Sequence, residues 1–148
     1  RSTHCISSAA SDVYKRQIPI LNMIEETAKE TRGKISPIQK VGLLASIGIY
    51  KTGIYHQHFK KFNIEVISPE EKDKEEIMKV IYAVKAGDLS EEVKKSIILI
   101  AQKLIDKGAE AIIAGCTEIP LILKEGDVPV PIIDPTQVLA KAAIQKAR

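Results

Sequence analysis

Residues 108–123 read GAEAIIAGCTEIPLIL, and the order of residue types in them decides the fold class. Gly108 stops a helix, and the apolar run from Glu110 to Ala114 after it has the length and lack of alternation of a buried strand. Gly115 to Glu118 is a turn, and Ile119 to Leu123 is a short helix. Upstream, Ser90 caps a helix with Glu91 and Glu92 in its first turn, and Val93, Ile97, Ile100, Ala101, Leu104 and Ile105 form its apolar stripe. A helix, a buried strand and a second helix in succession are the repeating unit of an α/β layer fold.

The same alternation extends in both directions. Ile64 to Ile67 is a strand, after which Ser68, Pro69 and Glu71 predict a capped helix with the stripe Ile77, Val80, Ile81 and Val84, ended by Gly87. Before it, Lys40 to Ala45 is a buried strand and Ser46 to Gly48 a turn. Ile54, Tyr55, His58, Phe59 and Phe62 then recur at helical spacing. Asn22 and Glu25 form a capping box for a helix to about Thr31, which Gly33 to Pro37 interrupts. Downstream, Val130 to Ile133 is a last strand, and Asp134 with Pro135 opens a last helix to about Ala147. The expected fold is therefore α/β, a parallel-sheet lobe with flanking helices. Its ligands belong at the carboxyl ends of the strands, at Ser46 to Gly48, at Gly115 to Glu118 and at Asp134.

Composition narrows the function. The 148 residues carry a net charge of +3, but removing residues 1–17 leaves 19 basic and 18 acidic side chains, and aromatics are only 4%. Without a basic stripe or stacking platforms, no nucleic-acid partner is expected. No apolar run approaches the roughly 20 residues of a membrane span. Two cysteines and three histidines supply neither a disulfide framework nor a zinc site, so no metal is expected and the compartment is expected to be reducing and cytoplasmic. His56 and His58, two apart, fall on different faces of a helix. Nucleotide-binding loops of the GxxxxGK[ST] or GxGxxG type do not occur. Residues 1–17, RSTHCISSAASDVYKRQ, have neither periodicity nor an apolar signal-peptide core, and resemble translated adapter sequence; they are expected to be a non-native leader.

Cys116 is the residue with chemistry to offer. It comes after a buried strand and precedes a helix, so unsatisfied backbone N–H groups should face its thiol and favour the thiolate. Gly115 allows close backbone approach, and the Thr117 hydroxyl stands beside it. A lone cysteine in such a place also serves as a small buried hydrophobe, and position by itself leaves both readings open.

The run GAEAIIAGCTEIPLIL resembles the second cysteine signature of the aspartate/glutamate racemase family, an apolar strand ending in Gly-Cys-Thr. The likeness extends in order through IPILNMIEETAKE (18–30), GLLASIG (42–48), VKAG (84–87) and VPIIDP (130–135). Glu118, where glutamate racemases usually carry histidine, favours the aspartate branch. The resemblance implies an isomerase without cofactor, a remnant of a two-lobed pseudo-symmetric fold in which each lobe gives one cysteine to a cleft. One thiolate removes the α-proton of a small amino-acid substrate and the opposite thiol returns one to the other face. It implies Cys116 as one acid/base, Thr117 as a carboxylate donor and Lys85 as the holder of the aspartate side-chain carboxylate, with Ser46, Gly48 and Glu118 lining the substrate site. Family members often carry a hydroxyl where this chain has Ile49.

On the same footing, 18–37 is expected to be an inter-lobe strand and helix, 38–131 the second lobe, and 132–148 a strand end and helix returning to the first lobe. That lobe, with its Cys-Asn-Thr motif, is expected before Ile18 and does not occur there; Cys5 is followed by Ile6 and Ser7 instead. The chain is accordingly expected to be a fragment, inactive alone, with Val138, Leu139, Ala142, Ala143 and Ile144 forming an uncovered apolar strip. The full-length protein is expected to form a homodimer, as family members commonly do. Two further readings stand beside this one: a broad-specificity amino-acid racemase, and a non-catalytic α/β binding domain.

Overall fold

A computed structural model of the chain describes residues 21–148. The leader 1–17, Cys5 and the apolar start at Ile18 to Ile20 lie outside the described residues. Four strands, β1 (Lys40–Leu44), β2 (Glu65–Ile67), β3 (Ile112–Ala114) and β4 (Ile132–Ile133), form one parallel sheet in the order β2-β1-β3-β4. Helices α1 (Met23–Lys34), α2 (Ile47–Thr52), α3 (Ile54–Lys60), α4 (Glu71–Lys85), α5 (Glu91–Asp106), α6 (Ile119–Ile122) and α7 (Pro135–Ala147) complete the described elements.

The strands are buried on both faces. Val41, Leu43, Ala111, Ile113 and Ile133 pack with Ile24 and Ala28 of α1, Tyr55 and Phe59 of α3 and Val138 of α7. Leu44, Ile112 and Ala114 face the opposite way and pack with Ile77, Val80 and Val84 of α4 and Ile97, Ala101 and Leu104 of α5. Two-sided burial explains why the strands read as unbroken apolar runs. Gly42 belongs to the second layer by position, and a Cβ there would lie 2.9 Å from both Leu104 Cβ and Ile112 Cδ1. The missing side chain lets α5 approach the sheet.

Helix ends obey the sequence in most places. Ser90 Oγ accepts from Val93 N at 3.5 Å, Asn22 Oδ1 from Ile24 N at 3.0 Å, and Asp134 Oδ1 from Thr136 N at 3.0 Å. Gly87 and Gly108 take φ values of 87° and 105°, and the amide of the residue after each closes on the carbonyl five back, Ala83 and Leu104 respectively.

Four expectations need correction. Glu25 does not close a capping box; its carboxylate lies 3.2 Å from Lys29 Nζ one turn on. Ser46 to Gly48 is no simple turn, because Ser46 starts α2, and Gly53 at φ 64° divides the segment 47–60 into two helices. Ser68 does not cap α4, which begins after Glu70 with no side-chain cap; the Ser68 hydroxyl is engaged 2.9 Å from His56 Nε2. The apolar strip on α7 is narrower than expected, since α7 packs on α1 and buries Val138, leaving Ala143 and Ile144 exposed and Leu139 and Ala142 half-buried.

Candidate active site

The strand order places a topological switch point between β1 and β3. The chain leaving β1 runs through α2 into α3 on one face, whereas the chain leaving β3 enters α6 on the other. Such a divergence opens a crevice at the carboxyl ends of the two strands. Ser46 stands at one side of it and Cys116 at the other. Contact between the strands is close there: Gly115 N donates to Leu44 O at 2.7 Å, and a Cβ on Gly115 would lie 2.9 Å from Leu43 Cδ1, 3.0 Å from Ala45 Cβ and 3.2 Å from Leu44 O. Gly115→Ala is therefore expected to destabilise the fold by about 1–3 kcal/mol and to displace the Cys116 turn, a loss readable by denaturant unfolding.

Cys116 is half-buried and packs against the α4–α5 layer. The N–H groups of Ile119 and Glu118 point at its sulfur, as the strand–turn–helix sequence suggests, and Lys85 also favours the thiolate. The net direction is nevertheless the reverse of the expectation, because burial, seconded by the Glu118 carboxylate, pushes the thiol above its ordinary value. A four-residue helix offers too small a dipole to outweigh desolvation.

The other expected site residues gather around this thiol unevenly. Thr117 is exposed and its hydroxyl donates to Glu118 Oε2 at 2.7 Å, so it is already engaged. Lys85, the last residue of α4, is exposed with its ammonium 5.9 Å from the Tyr82 ring centroid, yet near enough for its charge to act on Cys116. Ser46 is half-buried and makes no cap bond, Gly48 lies exposed on the first turn of α2, and Ile49 packs against the α1–α3 layer. His56 and His58 do not meet, and no cluster of metal-ligating side chains occurs among the described residues. The described helices include none long and apolar enough to cross a membrane.

Two tyrosines beside the crevice carry no sequence signal of their own. The Tyr50 hydroxyl donates to Leu43 O at 2.7 Å and accepts from Ala45 N at 2.9 Å. The β1–β2 register ends at Gly42 and Ile67; the next donor of a parallel ladder would be residue 69, a proline without an N–H. Tyr50 thus completes the edge of β1 where β2 cannot, and fixes the backbone leading into Ser46. Tyr50→Phe would strand both backbone groups and is expected to cost about 1–3 kcal/mol, measurable as a lower denaturation midpoint. Tyr55 is buried in the α1–α3 layer. Burial pushes both phenols up, and the Cys116 charge adds to each.

A cavity of about 630 Å³ lies elsewhere, along β2 and α3, lined by Lys40, His56, Lys60, Ile64, Glu65 and Val66 among others. It is open and far from the strand ends that carry Cys116, so the crevice remains the better-founded site.

Known proteins share this fold. The sequence model of the Asp/Glu/hydantoin racemase family matches residues 6–143. The chain is 31% identical to a candidate Asp/Glu racemase from Yersinia pestis, with a TM-score of 0.82 over 95% of this chain and 62% of that one. It is 28% identical to an aspartate racemase homologue from Pyrococcus horikoshii, with a TM-score of 0.82 over 95% of this chain and 62% of that one. Against the aspartate racemase of Picrophilus torridus the identity is 28% and the TM-score 0.73, over 93% of this chain and 58% of that one. The chain thus spans about three fifths of the length of these solved structures.

Proposed function

Because the chain belongs to the Asp/Glu/hydantoin racemase family, we propose that it carries one acid/base of an amino-acid racemase that works without a cofactor and interconverts L- and D-aspartate, Cys116 being that group. The reading rests chiefly on one observation: a half-buried thiol at the switch point of a parallel sheet, faced by two backbone N–H groups and by the charge of Lys85. Likeness to an aspartate racemase and an aspartate racemase homologue supports the choice of aspartate.

Inversion at an α-carbon without turning the substrate over needs an acid on one face and a base on the other. Cys116 serves one face. Burial favours its protonated form, so it stands ready to deliver a proton to a planar carbanion. Removing a proton in the reverse direction requires the thiolate, which Lys85 and the Glu118 and Ile119 N–H groups favour. A carboxylate binding at the turn would compete with Glu118 for the Thr117 hydroxyl, and Ser46 across the crevice offers a second hydroxyl. Water exclusion and these donors together stabilise charge that no electron sink absorbs.

The test is solvent-proton exchange. The full-length protein in D₂O should replace the α-hydrogen of L- and of D-aspartate, followed by NMR, and should do so more slowly with alanine and serine. Absence of exchange into either enantiomer would overturn the reading, and equal exchange of all three substrates would replace it with a broad-specificity racemase.

A further inference from the structure

One polar atom beside the crevice is unpaired. Tyr55 is 2% exposed, and its hydroxyl has no hydrogen-bond partner among the described residues. Tyr50, by contrast, both donates and accepts. A buried hydroxyl left without a partner costs stability, and such an atom calls for an explanation.

The location of Tyr55 supplies one. α3 starts at the carboxyl ends of the strands and runs back toward the start of β2, and Tyr55 is its second residue. It therefore lies level with the crevice, and Phe59, one turn on, lies below it. Side chains of a helix lean toward its N-terminus, which here is the crevice end. The ring belongs to the layer that also holds Ala45, just beyond β1, and Ile113 and Ile133 of β3 and β4. Cys116 and Asp134 both lie within electrostatic reach of the phenol, and burial keeps it protonated, so its spare capacity is that of a donor.

We propose that Tyr55 is a substrate-binding residue of the Cys116 site, its hydroxyl donating to a carboxylate oxygen of the amino acid whose α-carbon lies against Cys116. The assignment rests on the racemase reading and deepens it, naming a donor from the layer opposite Lys85. It also accounts for the unpaired hydroxyl, a donor whose acceptor arrives with the substrate, at a cost in stability that binding offsets.

Tyr55→Phe in the full-length protein separates the alternatives, because removing an unpaired hydroxyl and removing a ligand contact act in opposite directions. Without ligand, the melting temperature should rise by roughly 2–4 °C. Calorimetric titration with L-aspartate should show binding weakened about 10–100-fold, with KM in the exchange assay rising in parallel and kcat changing less. A lower melting temperature would mean that the hydroxyl has a structural partner and would overturn the assignment. So would unchanged aspartate affinity in a variant whose parent binds and exchanges aspartate, a result that leaves the racemase reading intact. A wild-type protein that neither binds nor exchanges aspartate overturns that reading and the assignment with it.

Discussion

Cys116→Ala is expected to reduce aspartate turnover by about 10²–10⁴-fold while leaving the unfolding midpoint close to that of the wild type. The sulfur is the proton carrier on its face of the α-carbon, and alanine has nothing to exchange. Because the side chain is half-buried at the edge of the α4–α5 layer, its loss leaves little void, and the effect falls on chemistry rather than on folding. Near-normal turnover in the variant would remove Cys116 from the mechanism. Iodoacetamide labelling of the wild type tests the electrostatics separately: burial raises the thiol, so the rate should keep climbing with pH beyond the ordinary thiol range. The sign carries over to stability. A group whose folded value lies above its unfolded value favours the fold fully at lower pH and loses that contribution as pH rises through the folded value. Cys116, Tyr50 and Tyr55 are all raised, and the protein should weaken on the alkaline side. A labelling midpoint below the ordinary thiol value would instead restore the activated thiolate that the strand–turn–helix sequence suggests.

That reversal marks where sequence reading stops. The layer fold is legible because it is written in local, repeated signals. Ser90 with its two glutamates, the stripe from Val93 to Leu104 and the stop at Gly108 each specify one helix through neighbours a few residues away. The burial of Ile112 to Ala114 comes from an apolar run that only a covered strand tolerates. Gly115 and Cys116 are legible for the same reason, since a turn after such a strand has one place to go in a parallel sheet. The features that fail are those that depend on a partner distant in sequence. Ser68 fits a capping pattern, yet its hydroxyl is engaged by His56. Tyr55 sits in an ordinary helical stripe, and only the packed layer shows that its ring is covered and its hydroxyl unpaired. The direction of the Cys116 shift is a balance between N–H groups visible in the sequence and desolvation that is not. Tyr50 is a partial exception. Pro69 announces that the ladder beside β1 must end, but nothing local says which side chain takes its place.

Lys85→Ala is expected to weaken aspartate about 10–100-fold, the scale of one hydrogen bond to a charged group, and to leave alanine and serine nearly unchanged. The geometry makes this a sharper test than family likeness alone. Lys85 is exposed at the end of α4 and lies over the Tyr82 ring, and no carboxylate is paired with it among the salt bridges of the described residues. A cation at a helix C-terminus is explained by the dipole without any ligand, and in that case its removal should affect every substrate alike. Its charge reaches Cys116, however, and favours the thiolate. The variant should therefore show two effects of different kinds: a loss in kcat/KM confined to substrates with a side-chain carboxylate, and a further rise in the pH at which Cys116 is alkylated. The second effect is read on the thiol itself, by alkylation without substrate, and Lys85 is the smallest of the influences on that thiol, so the comparison among substrates reports the first. A variant that shifts the alkylation profile but discriminates no substrate would leave Lys85 as an electrostatic neighbour of Cys116, and would move recognition of the side-chain carboxylate to the opposite side of the crevice.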